Sequence, residues 1–497
     1  MLDVAIHALT IVLDPSRLMF MFLGISIGLV VGLLPGLGGT VGMSILLPFI
    51  FGMDPYTGMA LLIGMTAVVH TGDTFPSVLL GVPGSSGSQA TIMDGYPLAQ
   101  RGEAARALGA AFFSSMIGGV IGGMTLFAVI PIARPVVLAF GSPELFMMSI
   151  LGLSMVGILA GKSPIRGFAA GMLGLMIGSI GGAPAVAEYR YTFDIIYLFN
   201  GIPLAVVALG LFAFPEMMDL LAAGGSISNA QKLSGSWMQG VKDALNNKWL
   251  IFRSAILGAI VGFIPGLGGS VVDWISYGQA KQTCKNTENF GKGDIRGVIA
   301  PESSNNAKEG GALIPTLLFG IPGSGTTAIL LGGLSLMGLQ AGPRLLTSEL
   351  PLTMSIIWTL VLANIFGAGA CLLLSKPIAR LSTIPAKKLV PFLLVLLMAG
   401  AYQSTRHWGD FIAFVAIGLL GWAMKQLDWP RPPLLIGFVL AVSAERYLWI
   451  SMSRYGFVWL GRPGVLAIGV IITVLLLAGI ILKKSGSIDT TGEGGQA

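Results

Sequence analysis

The sequence predicts an all-α polytopic membrane protein of about 10–12 transmembrane helices in two internal repeats, with re-entrant or Gly/Pro-broken helical hairpins. Three observations predict it. Of 497 residues, 10% are charged and 54% hydrophobic, against about 25% charged in soluble chains. Twenty-nine basic and 23 acidic side chains cannot cover a soluble protein of 51.7 kDa, and the mean hydropathy is +0.83. The 71 glycines are about twice the usual share; glycine permits close helix approach and breaks that line a cavity. Finally, a Pro-Gly-Leu-Gly-Gly motif stands once in each half.

Each span needs about 20 apolar residues. In chain order the candidates are 18–34, 56–71, 107–132, 143–161, 167–187, 193–214, 250–264, 352–375, 389–404, 410–425, 433–450 and 464–482. Trp249, Trp408, Trp422, Trp429 and Trp459 fall near span ends, as interfacial belts require. The chain divides into a first membrane repeat at 1–222, a polar linker at 223–249 and a second repeat at 250–455. An extra C-terminal transmembrane helix at 456–484 and a disordered tail at 485–497 follow. The Met-Leu-Asp start lacks a basic n-region and a cleavage site, so no removable signal peptide is expected.

The repeat rests on two ordered motifs. VGLLPGLGGTV at 31–41 and VGFIPGLGGSV at 261–271 agree at eight of eleven positions. PSVLLGVPGS at 76–85 answers PTLLFGIPGS at 315–324, and the spacing differs by nine residues, absorbed in the polar stretch 281–300. Whole-bundle repeats with Gly/Pro interruptions at matching places are the pattern of secondary transporters, whose sites lie between the halves near the membrane middle.

Four groups of residues carry the chemistry. Gly36, Gly38, Gly39 and Thr40, with Gly266, Gly268, Gly269 and Ser270, follow prolines that end apolar helices. One copy alone reads as a helix-breaking turn; two copies suggest freed carbonyls able to hold a cation. Gly84, Ser85, Ser86 and Ser88, with Gly323, Ser324, Thr326 and Thr327, place N–H groups and hydroxyls after a Pro-Gly break, donors suited to a carboxylate. Asn305 and Asn306 lie in APESSNNAKEGG, read either as ligand-admitting or as a cytoplasmic loop continuing from 281–300. Asp73, Lys308 and Glu302 supply charge near the site, Lys308 pairing with substrate, Glu302 or Glu309. In the aligned part of the first half the residues are mostly apolar except His70 and Asp73, so the half-sites are chemically unequal.

Other classes are excluded or weakened. The +6 charge is spread over short loops, so no nucleic acid is expected as a partner. Cys284 and Cys371 make neither a disulfide framework nor a cysteine metal site. His7, His70 and His407 are scattered, without HExxH, and no cofactor is implied. Gly161-Lys162-Ser163 resembles a P-loop end, but position 156 lacks the needed glycine. An integral membrane enzyme would require an acid, base or metal cluster that these residues do not assemble. GxxxG pairs at Gly118/Gly122 and Gly258/Gly262 read as packing faces.

PGLGGT and PGLGGS, the two GxPGS hairpins, Asp94-Gly-Tyr-Pro-Leu-Ala with Arg101-Gly102, and APExxNNA before GGALIP resemble the large membrane subunit of tripartite tricarboxylate transporters, from about 17 to 455. The resemblance implies a secondary, ion-gradient-driven carboxylate carrier of the bacterial inner (cytoplasmic) membrane. It also implies a periplasmic substrate-binding protein and a small four-helix membrane subunit as partners in the lipid bilayer, and Na⁺ or H⁺ as coupling ion. The sequence departs from the family in Val69-His-Thr-Gly-Asp-Thr74, where tyrosine and paired glycines are usual, and at Lys308-Glu309, where small residues are usual. The nearest rival is a free-standing ion-coupled organic-anion carrier; a channel is a third.

Lys232, Lys242, Lys248 and Arg253 against Asp243 place the linker in the cytoplasm. With a periplasmic N-terminus each half crosses an odd number of times, and the repeats are inverted. Ser115, on a span outside both hairpins, is expected to be near neutral when changed to alanine.

Overall fold

The structure, a computed structural model, describes residues 1–34, 36–159, 163–222, 233–381 and 386–484. Pro35, the Gly161-Lys162 pair, Lys232 with the start of the linker, the tail 485–497 and the side chains of 268–270 lie outside that description.

It is a helical membrane fold. The first half runs α1 (Leu2–Val12), α2 (Pro15–Leu33), α3 (Gly39–Leu46), α4 (Pro55–Gly72), α5 (Thr74–Leu80), α6 (Gln89–Gln100) and α7 (Ala104–Ala139). It continues through α8 (Ser142–Leu159), α9 (Pro164–Gly178), a strand pair β1 (Gly181–Gly182) with β2 (Tyr189–Arg190), and α10 (Leu204–Ala208) joined to α11 (Phe214–Ala222). After α12 (Trp237–Asn246) within the linker come α13 (Lys248–Phe263), α14 (Gly268–Thr283), α15 (Arg296–Phe319), α16 (Gly325–Leu336) and α17 (Leu350–Leu373). The chain ends with α18 (Ser375–Leu381), α19 (Ala386–Gln403), α20 (Gly409–Gln426), α21 (Arg431–Tyr455) and α22 (Pro463–Lys484).

The local signals for helix starts are plain. Asp14 and Asp54 accept from Ser16 N at 3.0 Å and Tyr56 N at 3.0 Å, and proline follows each, the preferred N-cap and first-turn chemistry. Among the described residues, five helical stretches are long and apolar enough to cross a membrane: Pro15–Leu33, Ala104–Ala139, Leu204–Ala222, Leu350–Leu373 and Arg431–Gly461. Two expected spans end differently. The span read at 167–187 stops at Gly178, before β1, and most of 193–200 is a turn and a short 3₁₀ helix. Trp249, Trp408 and Trp422 are exposed, as an interfacial belt requires, whereas Trp459 is buried and its indole N–H points at Met452 Sδ.

The segment that could have been a loop, APESSNNAKEGG, is part of α15, and Gly297 through Leu318 are all buried. Its burial follows from glycine. A Cβ at Gly118 or Gly122 of α7 would stand 2.1 Å from Ser303 O or 2.6 Å from Ala307 O. On the other side, one at Gly258 or Gly262 of α13 would meet Ser304 O at 2.2 Å or Lys308 O at 2.3 Å. The two GxxxG faces therefore grip one polar helix between them, which small residues at a membrane helix interface allow.

Contacts along α17 fix which ends lie together. Near its start, Thr353 Oγ1 donates to Leu345 O at 2.6 Å and Trp358 Nε1 to Ala5 O at 2.8 Å. At its end, Leu372 and Ser375 line a small cavity with Leu233 and Trp237 of the linker. Hairpin arm α6 finishes on this linker face, where Ser234 Oγ donates to Gly102 O at 2.8 Å. Arm α16 finishes on the opposite face, where Gly342 N donates to Leu317 O at 2.8 Å.

Candidate functional site

The two PGLGG breaks are built alike. Gly36 and Gly266 have φ of +85° and +91°, values a side chain resists. Each donates its N–H into the hairpin tip of its own half, Gly36 to Gly84 O at 3.1 Å and Gly266 to Gly323 O at 3.0 Å. The tips match too: Gly84 N points at Ser77 Oγ at 3.5 Å, and Gly323 N at Thr316 Oγ1 at 3.4 Å. The helix after each break then reaches the other half. Thr40 Oγ1 lies 3.3 Å from Thr326 Oγ1, and Asp273 Oδ2 accepts from Ala90 N at 3.0 Å.

Most tip hydroxyls serve the tips themselves. Ser324 and Thr327 form a capping box that starts α16, with Thr327 N donating to Ser324 Oγ at 3.3 Å and Ser324 N to Thr327 Oγ1 at 2.9 Å. Ser88 Oγ bonds Ser77 Oγ at 2.9 Å, Ser85 Oγ donates to Asp73 Oδ2, and Ser86 is exposed. The cavity beside Glu309, Thr326 and Thr327 measures about 10 Å³, room for about one water. That cavity is too small to hold a carboxylate.

Between the tips runs the polar face of α15. Asn305 Nδ2 donates to Gly87 O at 2.8 Å, and Asn306 Nδ2 to Thr71 Oγ1 at 3.0 Å and Asn364 Oδ1 at 2.8 Å. Lys308 Nζ pairs with Glu309 Oε1 at 2.7 Å and lies 3.1 Å from His70 Nε2. His70 bridges the halves, its Nε2 3.1 Å from Glu309 Oε1 and its Nδ1 3.3 Å from Asp73 Oδ2. The sequence allowed Lys308 either carboxylate; the structure pairs it with Glu309. Glu302 instead accepts from Thr74 at 3.0 Å, Thr91 at 2.8 Å and Ser115 at 2.9 Å. Ser115 is therefore no neutral bystander, because its loss leaves a buried carboxylate short of a donor.

Two features of this cluster bear on chemistry. Asp73, Glu302 and Glu309 against Lys308 make a formal excess of two negative charges when all are ionised and His70 is neutral. In that ionisation state the field repels a free carboxylate and attracts cations. Second, three buried oxygens, Asp73 Oδ1, Asn305 Oδ1 and Asn306 Oδ1, have no hydrogen-bond partner. The amide orientations follow from their donors, since each Nδ2 faces an oxygen. Buried acceptors without donors are uncommon, and hard oxygen donors suit an alkali cation or a shared proton.

Sequence reasoning missed Asn364 and Asp273. An acid at 273, inside the apolar run VVDWIS, was the available signal, because ionisable residues at membrane depth are rare. The Asp94-Gly-Tyr-Pro motif turns out to anchor the polar stretch after α14. Asp94 Oδ1 accepts from Gly291, Gly293 and Asp294 N–H groups at 2.7–2.9 Å, and Oδ2 accepts from Tyr277 OH at 2.9 Å.

The chain is similar to known proteins. A protein of Agrobacterium vitis, described as an uncharacterized 52.8 kDa protein in the TAR-I ttuC' 3' region, is 31% identical over 483 residues, covering 95% of both chains. A second A. vitis protein, from the TAR-II ttuC' 3' region, is 31% identical over 237 residues, 46% of this chain and 96% of its own. No solved structure matches. Residues 18–436 match the family model described as the tripartite tricarboxylate transporter TctA family, and the chain belongs to that family.

Proposed function

We propose that this chain is the carrier subunit of a binding-protein-dependent carboxylate uptake system driven by a cation gradient. The family supplies the large transporter subunit of such tripartite systems, which work with a periplasmic binding protein and a small subunit. The observation that carries the ion-coupled reading is the set of unpartnered buried oxygens on Asp73, Asn305 and Asn306 within an acid-rich cluster. An anion gains a place between the tips only when a cation offsets the excess negative charge, which is the physical basis of symport. Asp73, Asn305 and Asn306 hold that ion, Na⁺ or H⁺, and the tips Gly84–Ser88 and Gly323–Thr327 receive the carboxylate, through the N–H groups of Ser86, Gly325 and Thr326 that the tips do not spend on themselves.

The linker face is assigned to the cytoplasm, from the positive excess of Lys242, Lys248 and Arg253 over Asp243. The termination of α6 and α16 on opposite faces supports inverted repeats. Small subunit and binding protein assemble around a chain of the bacterial inner membrane.

The test is reconstitution of the chain with its small subunit, with and without binding protein. A carboxylate panel is offered under an imposed Na⁺ or H⁺ gradient. The reading expects concentrative uptake of at least one carboxylate, at low concentration only with binding protein. Full-rate, high-affinity uptake by the chain alone would refute the partner dependence.

A further inference from the structure

A cleft of about 720 Å³ opens on the face opposite the linker, outside the hairpin tips. Its walls are the β1–β2 hairpin, residues 199–204, the end of α16 and residues Phe438–Arg446 of α21, so both halves contribute. The volume lies within the range of small-molecule sites, about 300–1,000 Å³. An adjoining cleft of about 410 Å³ shares Arg446 and adds Arg454.

The polar lining is basic and incompletely paired. Arg190 Nη2 donates to Glu445 Oε2 at 2.7 Å, but Arg190 Nε is shielded from solvent and has no acceptor. Arg446 is exposed and, among the described residues, forms no hydrogen bond or ion pair. Two guanidinium groups in the cleft, with Arg454 in the adjoining one, thus stand against one carboxylate, the reverse of the balance between the tips. Guanidinium forks match carboxylate oxygens in geometry as well as charge. The cleft also reaches Gly332 and Ser335 of α16, whose first turn carries Thr326 and Thr327. Between Thr326–Thr327 and Gly332–Ser335 the helix rises about 8–13 Å at 1.5 Å per residue.

We propose that this cleft is a second anion site, an antechamber that holds a small di- or tricarboxylate before it passes to the hairpin tips. Arg446 anchors one carboxylate group. Arg190 holds another through its unpaired Nε and exchanges Glu445 for the substrate. The proposal rests on the carboxylate-carrier reading. It gives the acid-rich inner site a basic outer one, so that the substrate is collected by fixed positive charge before it meets the coupling cation.

The test uses the full complex in proteoliposomes, with uptake kinetics for mono-, di- and tricarboxylates. Arg446→Gln raises KM about tenfold, changes kcat less than about twofold, and has more effect as substrate charge increases. Arg446→Lys recovers part of the loss. Glu445→Gln does not raise KM, because it releases Arg190. Since Arg446 forms no hydrogen bond or ion pair among the described residues, a KM effect that grows with substrate charge and is partly restored by Arg446→Lys is not the pattern of a folding defect. Parallel vesicles of zwitterionic lipid, with and without anionic lipid, distinguish the free carboxylate from a lipid phosphate: competition that raises KM only with anionic lipid assigns the cleft to the headgroup and overturns the proposal. A silent Arg446→Gln in complexes that transport normally overturns the antechamber alone. Absence of carboxylate uptake by the unmodified complex overturns both it and the carrier reading.

Discussion

Asn305 Nδ2 donates to the carbonyl of Gly87 at 2.8 Å, and that bond both pins the first hairpin tip to α15 and leaves Asn305 Oδ1 without a donor. One side chain therefore couples the position of a tip to the oxygen set assigned to the cation. If the tip moves to admit substrate, the amide must turn with it.

The first prediction follows from that coupling. Asn305→Ala and Asn306→Ala each remove a hydrogen-bonding group worth about 1–3 kcal/mol when buried. Apparent affinity for carboxylate and coupling ion should fall together, ten- to a hundredfold, with the complex still assembled. Uptake titrated against both ligands checks this, and loss of carboxylate affinity alone would separate the two roles.

Ser115→Ala should act on stability. The change deprives buried Glu302 of one of three hydroxyl donors and should cost about 1–3 kcal/mol, read as a lower melting temperature in detergent. Ser26, exposed and bonded only to Phe22 O, is the suitable control, within about 0.5 kcal/mol of neutral.

Gly258→Ala and Gly118→Ala test the grip on α15. A new methyl group would stand 2.2 Å or 2.1 Å from backbone oxygens that have no rotamer to yield. Overpacking of this kind costs about 1–3 kcal/mol or more, so the folded yield should drop sharply. Gly369→Ala on α17 meets nothing within 4 Å and should fold normally.

Topology has its own test. With Cys284→Ser and Cys371→Ala as background, single cysteines at exposed Gln239 and Gln340 should react with an impermeant thiol reagent from opposite sides, Gln239 only from the cytoplasm. Labelling of both from one side would contradict the inverted arrangement.

Much of this was legible in the sequence, and the exceptions have a common cause. The PGLGG and GxPGS motifs marked the breaks and tips because proline and glycine carry backbone geometry in their identity. Hydropathy could not distinguish the polar α15 from a loop, since what buries it is glycine on α7 and α13, far away in the chain. The pairing of Lys308 with Glu309 and His70, rather than with Glu302, likewise depended on a contact across 238 residues. Tip hydroxyls looked like free donors because a capping box and a substrate clamp use the same residue types. Asp273 was overlooked as one acid in an apolar run, although its rarity there was the signal.

In the symport proposed here, a cation held by Asp73, Asn305 and Asn306 makes the acid-rich interior tolerate a carboxylate. The most direct measurement is labelled-carboxylate uptake by the reconstituted complex with the Na⁺ and H⁺ gradients clamped separately, the unmodified chain beside Asp73→Asn. One gradient is expected to drive uptake, and Asp73→Asn to abolish that dependence while the protein remains folded and assembled. Equal, gradient-dependent accumulation by both proteins would contradict it.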